Sequence, residues 1–277
     1  MTQRRCACLA AALLVLAPVV AGCTRTDVLN RRLAAIGDPA ARAIVRDALW
    51  AAGSKYRWAE HTALRADVTR TVHRPLGDST TEEVWLVDLW GGRFRVEVPA
   101  ERRVAAYDGA SWHVFAEGRV TANLEARAAA AGDARLLTTL LPMPLSLTAP
   151  GQEVSYAGIR TGPGEARAWQ RLSITQAPAS GYGADDEAVV EVRQDTHRVE
   201  AVLIRWPELP FAGRPMRVEM DDWRPADGLL LSRRWRFFPI DDRGDPTGPA
   251  LYTVRVKRIE FDPPMGPATF TQPRDGQ

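Results

Sequence analysis

The sequence predicts an α+β protein that is mainly antiparallel β. Strand-length segments with alternating apolar residues recur on both sides of a leucine-rich middle, glycine-containing turns join them, and helix patterns lie at the start and in the middle. Because short hairpin turns connect antiparallel strands, whereas parallel strands need long crossovers, we expect one meandering sheet of ten or eleven strands with two or three helices. An open sheet of this size tends to curl.

The segment 80–115 shows the strand pattern most clearly. Within residues 93–98 every second residue is apolar, which places Phe94 and Val96 on one face and charged residues on the other. A Gly-Gly pair and an Asp-Gly pair supply the positive φ angles that tight hairpins need. The remaining strands are expected at residues 62–73, 169–176, 188–194, 198–206, 216–223, 229–238 and 250–261.

The first convincing helix is expected at residues 39–52. Asp38 is a suitable N-cap, Pro39 suits the first helical position, and Gly53 suits the end. The apolar residues of this segment recur at the spacing of one helical face, so the helix should lie on an apolar surface. Residues 23–37 before it are expected to form a tether with a helical turn at 28–35.

In the middle of the chain, the spacing of apolar residues changes from that of strands to that of helices. Residues 123–131 form one helix candidate, and Asp133 caps a second one that carries a leucine stripe: Leu136, Leu137, Leu140 and Leu141. Residues 141–147 contain two prolines and suit neither a helix nor a central strand. We expect this apolar segment to act as a core plug or as a lid.

The first 22 residues predict a signal peptide. Arg4 and Arg5 precede an apolar run at 9–20 that is too short to span a bilayer comfortably, and small residues follow it directly before Cys23. This end resembles the lipobox of bacterial lipoproteins, in which the signal is cut before the cysteine and the cysteine is acylated, with palmitate among the expected chains. The alternative is an ordinary signal peptide cut near Gly22, which would leave Cys23 free.

The leader also predicts where the protein resides. Cys6 and Cys8 leave with the leader, so the mature chain can form no intrachain disulfide. The resemblance to lipoproteins implies the cell envelope, and Thr24 in place of an aspartate after the cysteine favours the outer membrane. We therefore expect a chain that is anchored to the outer membrane through lipid on Cys23 and faces the periplasm.

Charge argues against nucleic acid as a partner. The full chain has 36 basic and 34 acidic side chains; residues 1–22 contain Arg4 and Arg5 and no acid, which leaves 34 of each in the mature chain. Binding to nucleic acid draws on clustered lysine and arginine, and the sequence has no long basic run.

No catalytic residue, metal site or cofactor is expected. A nucleophile needs a base within reach, but Ser111 and His113 stand two residues apart on one strand, where pleating explains their shared face. The four histidines lack metal-binding spacing, and the acidic loop 241–245 lacks the full EF-hand pattern. We therefore expect a protein that is not an enzyme; a hydrolase of envelope substrates remains a third alternative.

In this order of elements, the chain resembles the LolA/LolB-like outer-membrane lipoprotein carrier superfamily. The motifs that carry the resemblance are Tyr107-Asp108-Gly109-x-x-Trp112, Leu140-Leu141-Pro142-x-Pro144-Leu145-x-Leu147 and Asp227-Gly228-Leu229-Leu230-Leu231. The resemblance implies an unclosed (half) β-barrel of about eleven strands wrapped around two or three helices, with a hydrophobic cavity for acyl chains. It covers residues 38–262 as a single domain and leaves 263–277 as an irregular, proline-rich tail. The soluble carrier of that superfamily is not lipidated, so Cys23 suggests an anchored member.

Two hypotheses about function remain open beside the enzyme. The first is an anchored lipoprotein that holds a lipid or acyl chain in the curved sheet, with lipoprotein or lipid transfer and an envelope protein partner as further possibilities. The second is a structural or interaction lipoprotein whose apolar residues only fill a core. Strand alternation and the leucine-rich cover predict the cavity-lining residues: Leu86, Phe94, Val96, Leu137, Leu140, Met143, Leu172, Ile174, Val190 and Leu203.

Overall fold

The computed structural model describes residues 24–121, 139–162, 167–176, 187–205 and 214–273, together with Asn123, Arg127 and Gly132. The leader, Cys23, Leu137 and most of the two helices expected in 123–138 lie outside the described residues.

Two antiparallel meanders make up the sheet. The strands of the first meander are β1 (Ala63–Val72), β2 (Ser79–Asp88), β3 (Phe94–Val98), β4 (Arg103–Tyr107), β5 (Trp112–Ala116) and β6 (Arg119–Val120). The strands of the second are β7 (Gln152–Thr161), β8 (Ala168–Gln176), β9 (Glu187–Arg193), β10 (Val199–Arg205), β11 (Met216–Ala226), β12 (Leu229–Pro239) and β13 (Tyr252–Phe261).

The two meanders join through the first and the last strand. β1 pairs antiparallel with β13, for example Thr71 opposite Thr253, so the thirteen described strands form one continuous sheet. β6 and β7 form its two edges, which leaves the barrel unclosed. The predicted antiparallel half-barrel is therefore confirmed, with two more strands than expected.

The two additional strands are the edges. β6 has only two residues, and in β7 a single side chain, that of Val154, is buried while Gly158 interrupts the pattern at a bulge. An edge strand with little buried surface has no apolar alternation, and alternation is the signal on which strand prediction rests.

Three helices precede the sheet: α1 (Arg25–Ala35), α2 (Pro39–Ala51) and α3 (Lys55–Glu60). The predicted face of α2 is confirmed, because Ile44, Val45, Ala48 and Leu49 are buried. Its predicted cap is confirmed as well, since Asp38 accepts hydrogen bonds from the backbone N–H of Ala40 and Ala41.

Residues 25–35, expected as a tether with a helical turn at 28–35, are helical throughout. These residues form all of α1, which begins at a capping box between Thr24 and Asp27 and buries Leu29 and Leu33 in the core. The sequence obscures this helix because arginine, asparagine and aspartate are as numerous as its apolar residues, and two leucines four residues apart carry its whole buried face.

The described residues 263–273, after β13, pack on the sheet. A 3-10 turn at Pro267–Phe270 buries the ring of Phe270, and the guanidinium of Arg95 donates to the carbonyls of Thr269 and Gln272 at 2.9 and 2.6 Å. This contact explains why Arg95, which points away from the helices, is buried.

Candidate ligand-binding face

One face of the sheet, which we call the inner face, packs against the helices and residues 139–148. Its side chains form a single hydrophobic cluster that draws on both meanders, on α1, α2 and α3, and on the leucine-rich segment. Within that segment Leu140, Leu141, Met143, Leu145 and Leu147 are all buried. The segment lacks regular helix apart from its first residues, as its prolines predict, and it serves as a cover of the inner face.

Two indoles meet at the centre of the inner face. The rings of Trp85 on β2 and Trp235 on β12 have centroids 5.7 Å apart, although β1 and β13 lie between these strands. Trp85 stands opposite the small side chain of Ala66 on β1, and Trp235 stands opposite Val254 on β13. Large rings thus reach over small neighbours, and both are 1% exposed. The contact brings the halves of the sheet together across their seam.

A second aromatic group lies toward the β6 edge. Phe94, Tyr107 and Trp112 occupy facing positions on three neighbouring strands, with ring centroids 4.9–5.6 Å apart. Phe94 is buried, whereas Tyr107 and Trp112 are half-buried. Aromatic rings in this arrangement combine apolar area with favourable edge and offset contacts.

A buried ion pair stands beside the central indoles. Nη2 of Arg70 donates to Oε2 of Glu83 at 2.7 Å, and Nε1 of Trp85 donates to the same oxygen at 2.7 Å. The side chains of Arg70 and Glu83 are 10% and 1% exposed. The guanidinium also lies 5.7 Å from the ring centroid of Tyr252. The inner face is therefore apolar near the start of β1 and carries a paired charge near the end of that strand.

The structure brings together seven of the ten predicted cavity-lining residues. They are buried in the one cluster of the inner face: Phe94, Val96, Leu140, Met143, Leu172, Ile174 and Val190. Leu137 lies outside the described residues.

The placement of Leu86 and Leu203 on the inner face is wrong. Leu86 pairs with Arg95 on the outer face and lines a cleft of about 470 Å³ beneath residues 263–273. Leu203 pairs with Arg217 on the outer face, under the loop that contains Gly244. Both leucines stand in runs of four apolar residues, and such runs contain no alternation from which to read which face a side chain occupies.

The ten residues chosen from strand alternation omit Trp85 and Trp235, and no pattern in the sequence indicates Arg70 and Glu83. The ends of β2 indicate which of its side chains face inward, because Glu82 and Asp88 are polar and point outward while Val87 is buried. The inward glutamate Glu83 contradicts that rule, and the hydrogen bonds that it accepts from Arg70 and Trp85 make an inward carboxylate acceptable.

One carboxylate fixes the cover to the β7 edge of the sheet. Oδ1 of Asp38 caps α2, while its Oδ2 accepts the backbone N–H of Tyr156 on β7 at 2.7 Å. The hydrogen bonds from the backbone N–H groups of Tyr156 and Ala41 lower the pKa of Asp38 below its usual value. At the opposite side, Nη2 of Arg32 on α1 donates to the carbonyl of Trp90 at 3.0 Å. The cover is thus fastened by a few polar contacts at its margins.

A polar cluster closes the sheet where β1 begins and β13 ends. Nδ1 of His61 lies 2.9 Å from Oδ2 of Asp262, and the hydroxyl and backbone N–H of Thr62 both donate to Oδ1. Burial by itself raises the pKa of Asp262, but the hydrogen bonds from Thr62, His61 and the N–H of Ala63 together lower it to about 2. The ring of His61 stacks on Phe261, with centroids 4.1 Å apart.

Over the part of the chain that the structure describes, no group of three or more histidine, cysteine, aspartate or glutamate side chains is arranged to hold a metal ion. Within that same part, none of the helices combines the length and the apolar character needed to cross a bilayer.

Solved structures share this architecture. A LolA superfamily protein from Nitrosomonas europaea matches this fold with a TM-score of 0.59 and 13% identity over 84% of this chain and 97% of that one. A DUF1329 family protein from Desulfovibrio piger matches with a TM-score of 0.53 and 12% identity, also over 84% of this chain and 97% of that one.

These matches define the fold, and at such identities they define the fold alone. The chain has the LolA-like half-barrel, as the sequence motifs predicted. No protein-family model matches the sequence, and a comparison with curated proteins gives no match.

Proposed function

We propose that the protein is an anchored envelope lipoprotein, not an enzyme, that binds the acyl chain of a lipid between the inner face and its cover. One observation carries this proposal: the inner face is a continuous apolar surface closed by separate short elements instead of a second sheet. Entry of an acyl chain would require α1, α2, α3 and residues 139–148 to separate from the sheet, which would break polar contacts such as those of Arg32, Asp38 and Ala52.

The chemistry of the inner face suits an acyl chain. Removal of apolar surface from water yields about 25 cal/mol per Å², before the costs of association are subtracted. The aromatic side chains at the centre of the face, Trp85 and Trp235, provide flat apolar walls. The buried pair of Arg70 and Glu83 stands next to them and would face the polar end of a ligand.

The anchor is the second part of the proposal. Lipid on Cys23, with palmitate among its acyl chains, would hold the protein at the outer membrane facing the periplasm, and each buried CH₂ of an acyl chain contributes about 0.8 kcal/mol. Transfer of a lipid or lipoprotein to that membrane, with an envelope protein as partner, would be the biological use of such a chain.

Two mass measurements test the proposal. Intact-mass analysis of the mature chain should show acyl chains on Cys23, and Cys23→Ser should move the protein out of the membrane fraction. Native mass spectrometry of the delipidated chain with added phospholipids or fatty acids should show an adduct. Absence of any adduct while the chain remains folded would refute lipid binding.

A filled-core lipoprotein with no ligand is the competing function. The observation that favours it is the closure of the face in this structure, in which Phe94, Trp85 and Trp235 are each only 1% exposed. This alternative predicts that added lipid leaves thermal stability unchanged, whereas a ligand that binds the folded state raises the melting temperature with ligand concentration.

A further inference from the structure

Two exposed aromatic side chains lie together beside the first described residue. Trp50, in the last turn of α2, and Tyr56, in α3, are each 52% exposed, and their rings meet edge to face with centroids 6.2 Å apart. Nζ of Lys55 lies 5.2 Å from the Tyr56 ring centroid. We call these three residues, Trp50, Lys55 and Tyr56, the aromatic patch.

The fold holds this patch close to residue 24. The guanidinium of Arg25 donates to the carbonyls of Ala59 and Glu60 at 3.3 and 3.2 Å, which ties the start of α1 to the end of α3. Lys55 donates to Oδ1 of Asn30 at 2.7 Å, which ties α3 to the middle of α1. Thr24 and Tyr56 line one cleft of about 510 Å³. The position of the patch relative to the chain that leads to Cys23 is therefore fixed.

We infer that the aromatic patch is a docking surface for the lipid bilayer that carries the anchor. This inference rests on the proposed acylation of Cys23. Tryptophan and tyrosine favour the boundary between headgroups and acyl chains, because each has an apolar body and one polar group. A lysine next to them can extend its amine into the headgroup layer. Residue 24 is one position from the acylated cysteine, so the bilayer must lie within reach of Tyr56.

The consequence is a defined orientation. The hairpin between β1 and β2 lies at the far end of β1, and ten strand residues span roughly 30 Å. That hairpin carries the fully exposed Leu76. Docking through the aromatic patch would thus hold the start of β1 at the membrane and direct Leu76 into the periplasm. A lipid anchor alone would leave the body free to tumble.

A polarity-sensitive fluorophore tests the orientation. The full chain is produced with its native anchor, and a cysteine introduced as Tyr56→Cys is labelled with nitrobenzoxadiazole. Leu76→Cys, labelled in the same way, is the matched control. The introduced cysteine is the only one that reacts, because Cys23 is acylated and Cys6 and Cys8 leave with the leader. In phosphatidylethanolamine–phosphatidylglycerol vesicles, iodide should quench the label at position 56 about tenfold less than the label at 76. We expect this ratio because burial of one half-exposed indole face contributes more free energy than a tenfold shift toward the docked population requires. Trp50→Ser should restore quenching at position 56.

Each outcome bears on a different claim. If the labelled chain fails to float with the vesicles, the proposed anchor is wrong and the orientation falls with it. If the chain floats and iodide quenches both positions equally, the anchor stands and the docking surface is wrong. Protection of position 56 that rises with the ratio of protein to lipid would indicate a second copy on the patch and would also overturn the inference.

Discussion

The indole rings of Trp85 and Trp235 lie 5.7 Å apart although two strands separate the strands that carry them. The contact spans three strand spacings, because the two large rings reach over the side chains of β1 and β13 at the seam where the first and the last strand of the chain pair. The two rings therefore link the two meanders by side-chain packing as well as by backbone hydrogen bonds.

Truncation of the central indole should be costly. We expect Trp235→Ala to lower the free energy of unfolding by about 3–5 kcal/mol, because the cavity it leaves lies where neighbouring strands cannot collapse. Urea denaturation followed by circular dichroism measures the loss. Trp50→Ala is the matched control, since its side chain is 52% exposed and should cost less than about 1 kcal/mol. Equal losses in the two variants would contradict the central role of Trp235.

The buried ion pair should behave as a unit. Glu83→Leu alone should cost about 3–5 kcal/mol, because it removes the carboxylate that pairs with the buried charge of Arg70. The double variant Arg70→Met, Glu83→Leu should recover much of that loss, since replacement of both partners removes the buried charge. A double-mutant cycle on unfolding free energies gives the coupling, and additive losses would show that the pair does not act together.

The two oxygens of Asp38 should have separable roles. Asn at this position retains an oxygen that can cap α2, but it offers an amide in place of the oxygen that accepts the Tyr156 N–H. We therefore expect Asp38→Asn to speed hydrogen exchange at the Tyr156 amide while exchange in the first turn of α2 stays slow. Asp38→Ala should speed both. Unchanged exchange at Tyr156 in the asparagine variant would show that this contact does not fasten the cover.

Acid should weaken the seam through Asp262. Its pKa is about 2 in the folded protein against an ordinary value of 3.8, so the unfolded chain binds more protons between these values. The stabilisation of the folded state by the ionised Asp262 is present above pH 3.8 and is lost as the pH falls toward 2. Asp262→Asn should remove this part of the slope when unfolding free energy is plotted against pH. A slope that is the same in both proteins would assign acid sensitivity to other groups.

The parts of this fold that were predictable are those with a repeating physical signal. The alternation of Phe94, Val96 and Val98 and the capped apolar face of α2 follow from local chemistry, and the structure confirms both. Of α1 only a helical turn at 28–35 was expected, because Leu29 and Leu33 become a buried face only through packing against other parts of the core. Edge strands such as β7 also lack a readable pattern, because solvent accepts polar and apolar residues alike there.

The candidate site shows the same limit. Phe94 and Val96 were placed on the inner face correctly, because the charged residues between them show which side chains point outward. Leu86 and Leu203 stand in apolar runs, which do not show which face a side chain occupies. The contact between Trp85 and Trp235 depends on pairing between residues far apart in the chain, and no local pattern encodes it. The same holds for Arg95, which the returning segment 263–273 buries.

Quenching of tryptophan fluorescence by dibrominated stearate tests acyl-chain binding at the inner face most directly, because bromine quenches an indole only at close contact. We expect saturable quenching in the native chain, loss of most of it in the double variant Trp85→Phe, Trp235→Phe, and its retention in the matched variant Trp50→Phe, Trp169→Phe, because Trp50 and Trp169 lie outside the hydrophobic cluster of the inner face. No saturable quenching, or equal quenching in both double variants, would contradict a lipid-binding inner face.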